Sequence, residues 1–266
     1  MTQIAARGIG VDGAVGPKSV AELAALAESC GYGSFWLNVL GPRMDPIESL
    51  RLAVARTRTV EIGVGVFPLD QYPTADLGRR LAAIEMSMPR VIIGVAAGQI
   101  RHGAMAITED AVHSLRAALP QCRISTGGYG PKMLELGGRL ADVVLGNWLT
   151  TERLDWLIAQ VKRGAELTGR VPPPVYLYHR AATGDDAILR LRKELSEYRR
   201  YPVHQSHQAA MGNPEWIGVA TSDPAEIGRQ LAPYAQRCHV VLKPLPRDAG
   251  DLDEWRSLIR FFAPTS

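Results

Sequence analysis

The sequence predicts an α/β fold, specifically a closed (β/α)8 TIM barrel, from three observations. Short apolar runs alternate with longer amphipathic segments along the chain. Eight such runs fall within 266 residues, nearly all followed by a segment of helical periodicity. Several, such as Val91-Ile92-Ile93-Gly94-Val95 and Asp142-Val143-Val144-Leu145, are continuously apolar, as parallel strands covered on both faces are. Alternating βα units imply a parallel sheet, and eight of them at this length favour closure. A doubly wound open sheet is the runner-up, because periodicity does not report closure.

The first run, residues 4–11, precedes a helix over 19–30 whose Val20, Leu23, Ala24, Leu26 and Ala27 share one face. The second, 34–39, precedes a helix over 45–57 with Asp45 as N-cap and Pro46 at the first position. The third, 60–67, leads to a helix over 74–88, and the fourth, 91–95, to one over 108–119 capped by Thr108. The fifth, 123–126, meets a helix over 131–138, and the sixth, 142–145, one over 151–168. The seventh, 175–182, is followed by helical sequence over 185–201 and again after Pro202. The eighth, 239–242, lies between helices over 224–236 and 252–262. No linker splits this series, so one barrel domain over 1–266 is expected.

Composition narrows the function classes. The chain is 46% hydrophobic and 21% charged with a net charge of +3, values of an ordinary globular protein. Its basic residues are interspersed with acidic ones, so no nucleic-acid partner is expected. No stretch has the length of a membrane span and no signal peptide is visible, so no membrane partner and a cytoplasmic location are expected. Cys30, Cys122 and Cys238 lack CxxC spacing and read as reduced thiols.

Ligand sites of such barrels lie at the C-terminal ends of the strands. The most informative stretch there is Ile124-Ser125-Thr126-Gly127-Gly128-Tyr129-Gly130-Pro131-Lys132, a strand, a glycine turn and a helix start. Unpaired N–H groups and the positive end of the helix dipole suit a phosphate or another small anion, although an isolated glycine cluster is more often a plain tight turn. Other strand ends, Gly10-Val11-Asp12-Gly13, Gly63-Val64-Gly65-Val66 and Gly94-Val95-Ala96-Ala97-Gly98, also carry small residues and read as space for a flat ligand. No metal-ligand spacing appears. His204 and His207 read as surface or packing residues, and His179 is as well explained by the core as by catalysis. No nucleophile elbow or triad order exists. Small residues, an anion cradle and no evident side-chain catalyst fit chemistry carried by a bound cofactor.

Beyond this, the chain resembles the bacterial luciferase-like monooxygenase superfamily, in particular its branch using the deazaflavin coenzyme F420. The resemblance is carried by residues 22–37, by Asp45-Pro46, by Val60-Glu61-Ile62-Gly63-Val64-Gly65-Val66 and by residues 89–98. The most specific matches are Gly127-Gly128-Tyr129-Gly130-Pro131-Lys132-Met133-Leu134 and residues 141–150; residues 198–212 are also similar to the family's helical segment before the last strand. The resemblance implies a luciferase-like barrel with a shortened loop after the fourth strand. It further implies cofactor phosphate held by Thr126, Gly127, Gly128, Gly130 and Lys132, and a ring pocket shaped by Gly65, Val66, Ala97 and Gly98. Asn38 and Trp148 are the candidates for contact with ring or substrate, Trp148 being equally well explained as an aromatic anchor.

Two departures shape the functional expectation. Where many members carry an acidic and a histidine residue after the second strand, this chain has Asn38-Val39-Leu40-Gly41-Pro42. The short connection after Gly98 gives a poorer lid, which suits hydride transfer better than an oxygen intermediate needing shielding. The expectation is therefore an F420-dependent oxidoreductase acting on a small-molecule substrate. The alternatives are an FMN-dependent monooxygenase or reductase, and a non-catalytic cofactor-binding barrel. Pairing as a homodimer is a further expectation from the resemblance.

Overall fold

The computed structural model of the chain describes residues 7–39, 45–100 and 102–264. Part of the first predicted run (residues 4–6), and Leu40, Gly41 and Pro42 after the second, lie outside the described residues. The first half holds strands β1 (Gly8–Val11), β2 (Ser34–Leu37), β3 (Glu61–Pro68) and β4 (Val91–Ala96), each followed by a helix: α1 (Pro17–Ser29), α2 (Pro46–Arg56), α3 (Thr74–Ala83) and α4 (Ala104–Ala118). Then come β5 (Arg123–Gly127), α5 (Pro131–Leu140), β6 (Val143–Asn147), α6 (Thr151–Glu166) and β7 (Val175–Ala182). The chain ends with α7 (Ala187–Tyr198), α8 (Pro202–Ala209), β8 (Val219–Ala220), α9 (Pro224–Ala235), β9 (His239–Pro244) and α10 (Leu252–Phe261).

The strands pair in parallel in the order β1 to β7, then β7 with β9 and β9 with β1, which closes an eight-stranded ring. The (β/α)8 barrel predicted from alternation is therefore present, and the open-sheet alternative is excluded. β8, too short to leave a periodic signal, was not predicted; it pairs Val219 and Ala220 with Ala181 and Ala182 on the edge of β7 beyond β6.

Local chemistry sets the boundaries. Asp45 caps α2 as expected, its Oδ1 accepting from the amides of Ile47 and Glu48 at 3.1 Å. The expected start of α4 at Thr108 is corrected: the helix begins at Ala104 after Gly103, whose φ of 74° breaks the preceding chain. Thr108 lies inside it, and its hydroxyl donates to the Ala104 carbonyl at 2.8 Å. α3 ends at Ala83, short of the expected residue 88, where Glu85 adopts a φ of 55°.

The period of two along each strand sorts side chains between two apolar layers. Outward residues such as Ile9, Phe35, Ile62, Ile93 and Ile124 join the core beneath the helices. Inward residues Trp36, Ile92, Val143, Leu145, Tyr176, Tyr178 and Val241 form a separate cluster in the lumen. Tyr178 reaches from β7 across the lumen toward Gly65 on β3, four strands away around the ring in either direction. Its ring packs edge-on against Trp36 at 5.8 Å.

A polar group closes the N-terminal end of the lumen. The Glu61 carboxylate pairs with Arg123 at 2.5 Å and accepts from the Tyr176 hydroxyl at 3.0 Å. Ser34 Oγ lies 2.8 Å from His239 Nε2 and accepts from Trp36 Nε1 at 3.0 Å. Burial, helped by the Arg123 charge, pushes the His239 imidazole down to about 4.

Two expectations follow from this packing. Trp36→Ala empties the lumen and should cost roughly 3–5 kcal/mol in denaturant unfolding; a loss below about 1 kcal/mol would mean the indole is not a packing element. His239, together with His179 (down to about 3) and His204 (down to about 4), both also shifted chiefly by burial, refuses protons that the unfolded chain accepts. Folding stability should therefore fall as pH drops from about 6.5 toward 4, by up to about 1.4 kcal/mol per pH unit for each histidine. Equal urea midpoints at pH 7 and pH 5 would contradict these neutral buried imidazoles.

Candidate active site

The alternation that fills the lumen also delivers one inward position to the C-terminal mouth from each barrel strand: Asp12, Asn38, Gly65, Ala96, Gly127, Asn147, Arg180 and Lys243. On one side the mouth has a floor of small groups. β3 breaks register with β4 between Val64 and Phe67, within a bulge whose Gly65–Val66 peptide is cis. Gly65, Val66, Ala96 and Gly127 are half-buried there. A Cβ on Gly127 would meet Val66 Cγ1 at 3.5 Å and Ala96 Cβ at 4.0 Å, so these groups form one patch.

The other side is charged. Arg180 is 2% exposed; its guanidinium donates to Asn147 Oδ1 and to Tyr198 OH (3.0 Å), lies 3.5 Å from Glu194, and stacks 4.0 Å from the centre of the Trp148 ring. Lys243 Nζ is 3.1 Å from the same Glu194 carboxylate. Burial alone would raise Glu194, but Lys243 and Arg180 hold it below the usual carboxylate range. Asp12 behaves oppositely: burial raises its carboxyl, with Lys243 only partly opposing, while its Oδ1 accepts from the Ala14 amide at 3.1 Å.

The β5–α5 turn is tied to this network through Tyr129. Asn147 Nδ2 donates to the Tyr129 hydroxyl at 3.2 Å, and the Tyr129 ring packs on His207 and His204 of α8 at 4.1 and 4.8 Å. His207 Nε2 is 2.9 Å from the Trp148 carbonyl. His204 and His207 thus brace Tyr129, and no group of three or more potential metal-ligating side chains occurs among the described residues. At the rim, α5 starts at Pro131 with Gly130 as its N-cap and no side-chain cap, and Lys132 is exposed on its first turn.

The structure distributes the predicted residues unevenly. Gly65, Val66 and Gly127 come together on the floor, with Gly128, Gly130 and Lys132 at the adjoining rim. Asn38 directly follows β2 and is half-buried, its backbone N–H donating to the Val11 carbonyl at 3.0 Å. Three further side chains are buried. Thr126 is 2% exposed and its hydroxyl faces Gly137 of α5 behind the strand. Ala97 is 8% exposed. Trp148, 1% exposed with a φ of 55°, packs with Leu195 and Ile217 as an anchor that supports Arg180.

The reading of strand glycines as ligand space is corrected in part. A Cβ on Gly63 would overlap the Trp36 indole, and one on Gly10 or Gly65 would press on Tyr178, so those glycines accommodate the protein's own rings. Gly98, with φ of 67°, is crowded by the Asp70 carboxylate, which accepts from the Gln99 amide at 3.0 Å. The polar mouth residues Asp12, Asn147, Arg180, Glu194 and Lys243 were not singled out from the sequence. The signal for most of them was the inward phase of β6, β7 and β9, once the lumen side was known.

No family model matches the chain. A sequence relative, the 5,10-methylenetetrahydromethanopterin reductase of Methanolobus tindarius, is 25% identical over 189 residues, 59% of this chain; the match spans only 58% of that protein. Among solved structures, the coenzyme F420-dependent tetrahydromethanopterin reductase of Methanopyrus kandleri superposes with a TM-score of 0.75 at 15% identity, covering 98% of each chain. An F420-dependent secondary alcohol dehydrogenase in complex with an F420–acetone adduct gives 0.76 at 17% identity over 97% of this chain and 99% of that one. The oxygenating constituent of 3,6-diketocamphane monooxygenase from Pseudomonas putida, in complex with FMN, gives 0.67 at 11% identity over 97% of each. The chain is a (β/α)8 barrel whose fold is similar over nearly its whole length to that of these coenzyme-dependent enzymes.

Proposed function

We propose that the protein is an oxidoreductase that transfers hydride between coenzyme F420 and a small organic substrate. The observation that carries this reading is the joining of a floor of small groups to the uncapped start of α5 at one side of the mouth. A planar ring needs such a floor, and a phosphate tail needs unpaired amides with a nearby cation. The residues present fit both parts. Gly65, Val66, Ala96 and Gly127 would lie against the ring, while the first-turn amides of α5 and Lys132 would hold phosphate. F420 is preferred because the two F420-dependent neighbours superpose at 0.75 and 0.76, against 0.67 for the FMN complex. That FMN complex is also what supports the second reading, an FMN-dependent monooxygenase or reductase.

The coenzyme, when bound, supplies the hydride donor or acceptor. The chain contributes position and protons. Asp12, facing the mouth beside Lys243, has a carboxyl that burial raises above the usual carboxylate range, and in this reading its Oδ2 holds or releases a proton at a substrate oxygen. Asn38 provides a neutral amide at the neighbouring strand end. Arg180, stacked on Trp148 and tied to Asn147 and Tyr198, fixes the wall opposite the floor.

Fluorescence titration with F420 and FMN separates the readings. Tight binding of F420 with turnover is expected; a copurifying yellow flavin with no F420 affinity would replace this reading by the second, and binding without turnover by a non-catalytic barrel. Gly128→Val should weaken coenzyme binding at least tenfold in a folded protein, because a Cβ there overlaps Met133 on the first turn of α5. Lys132→Ala should weaken it several-fold, with the difference from wild type shrinking at high salt. Affinity unchanged in both variants would move the phosphate site away from α5.

A further inference from the structure

Two cations share one carboxylate on the β7–β9 side of the mouth. Arg180 and Lys243 are 2% and 5% exposed, and both reach Glu194, at 3.5 and 3.1 Å. They face each other in the β7–β9 ladder, so their side chains leave adjacent strands at one level and on one face. Glu194 comes from α7, where the buried Leu191 and Leu195 fix the helix against the barrel. The two cations differ in what else they hold. Arg180 also donates to Asn147 and Tyr198 and stacks on Trp148. Lys243 carries three donors, and its hydrogen bond among the described residues goes to Glu194.

The β1–β9 register brings a second acceptor to that ammonium. Gly8 lies opposite Val241 and Ile9 opposite Leu242, so Gly10 is level with Lys243 and Asp12 is the next inward position beyond it. Neighbouring strands are about 4.8 Å apart and two residues advance about 6.6 Å, a diagonal that a long side chain spans. Of the inward residues that the barrel strands bring to the mouth, Asp12 alone is acidic. The charged groups acting on it are Lys243, which opposes the effect of burial, and Glu194, which adds to it. Asn38 after β2 is neutral, and the Ala14 amide of the following turn holds Oδ1. We infer that Lys243 is the positioning residue for the Asp12 carboxyl, and that Glu194 governs it by drawing the ammonium toward α7. This rests on the proton role given to Asp12 above and adds what controls that role. Arg180 anchors Glu194, Glu194 divides itself between two cations, and Lys243 presents the charge that Asp12 meets. The two members of one ion pair then act on Asp12 with opposite sign. Loss of the lysine makes its proton harder to release, and loss of the glutamate makes it easier.

The test is a carbon-13 NMR titration of the side-chain carboxyls in the full chain without coenzyme, the Asp12 signal being the one that Asp12→Asn removes. Lys243→Met should raise the Asp12 midpoint by about one pH unit, and Glu194→Gln should lower it by about half a pH unit. Lys243→Arg keeps the charge, so its midpoint should lie closer to wild type than to Lys243→Met. In the wild type, the Lys243 carbon next to the ammonium should shift at the Asp12 midpoint. That readout needs no substitution and decides the outcome if a variant fails to fold. Midpoints that stay put in both charge-removing variants, or move in the same direction, would overturn the inference, as would a lysine signal that ignores Asp12. Because no coenzyme is present, such a result leaves the F420 reading standing. A protein that binds neither F420 nor FMN would overturn that reading instead, while the midpoints still decide whether Lys243 controls Asp12.

Discussion

The crossing of the lumen by Tyr178 and Trp36 is the constraint on which the rest of the molecule depends. Eight strands leave an interior just wide enough to be filled by side chains. Here two large rings fill it at mid-height, and the glycines at 10, 63 and 65 exist in part to admit them. A barrel packed by Val, Ile and Leu at every inward position would carry its core up to the rim. This one concentrates bulk in one layer, so the strand ends above it can be small on the β3–β5 side.

The two ends of the lumen use charge differently. At the N-terminal end, Glu61 pairs with Arg123 and accepts from Tyr176 while Ser34 pairs with His239, and the group acts as a plug. At the C-terminal end, Arg180 and Lys243 share the Glu194 carboxylate, and Asp12 stands beside them with a carboxyl raised by burial. Charged groups held this close together beside a carboxyl shifted by burial are of the kind that concentrates at functional sites.

Much of the fold was legible because its signal is periodic. Continuous runs such as 91–95 and 142–145 gave parallel strands, and Asp45-Pro46 gave a helix start that the structure reproduces. What escaped was aperiodic or nonlocal. β8 is two residues long and exists through its pairing with Ala181 and Ala182. Thr108 looked like a cap because its hydroxyl bonds backbone, but it does so from inside α4. At the candidate site, the glycine turn after β5 was visible as composition, whereas the partners of Arg180 come from β6, α7 and the loop after β6 and meet only in three dimensions. Likewise, whether a strand glycine makes room for a ligand or for an indole depends on the neighbouring strand. Gly63 and Gly127 look alike in sequence and differ in that respect.

The most direct measurement is a crystal structure of the protein with F420 bound. If the mouth works as proposed, phosphate density lies against the first-turn amides of α5 beside Lys132, and the ring covers Gly65, Val66, Ala96 and Gly127. A coenzyme bound elsewhere, or a mouth in which Tyr129 and the α8 histidines occupy the ring's place even with coenzyme in excess, would contradict it.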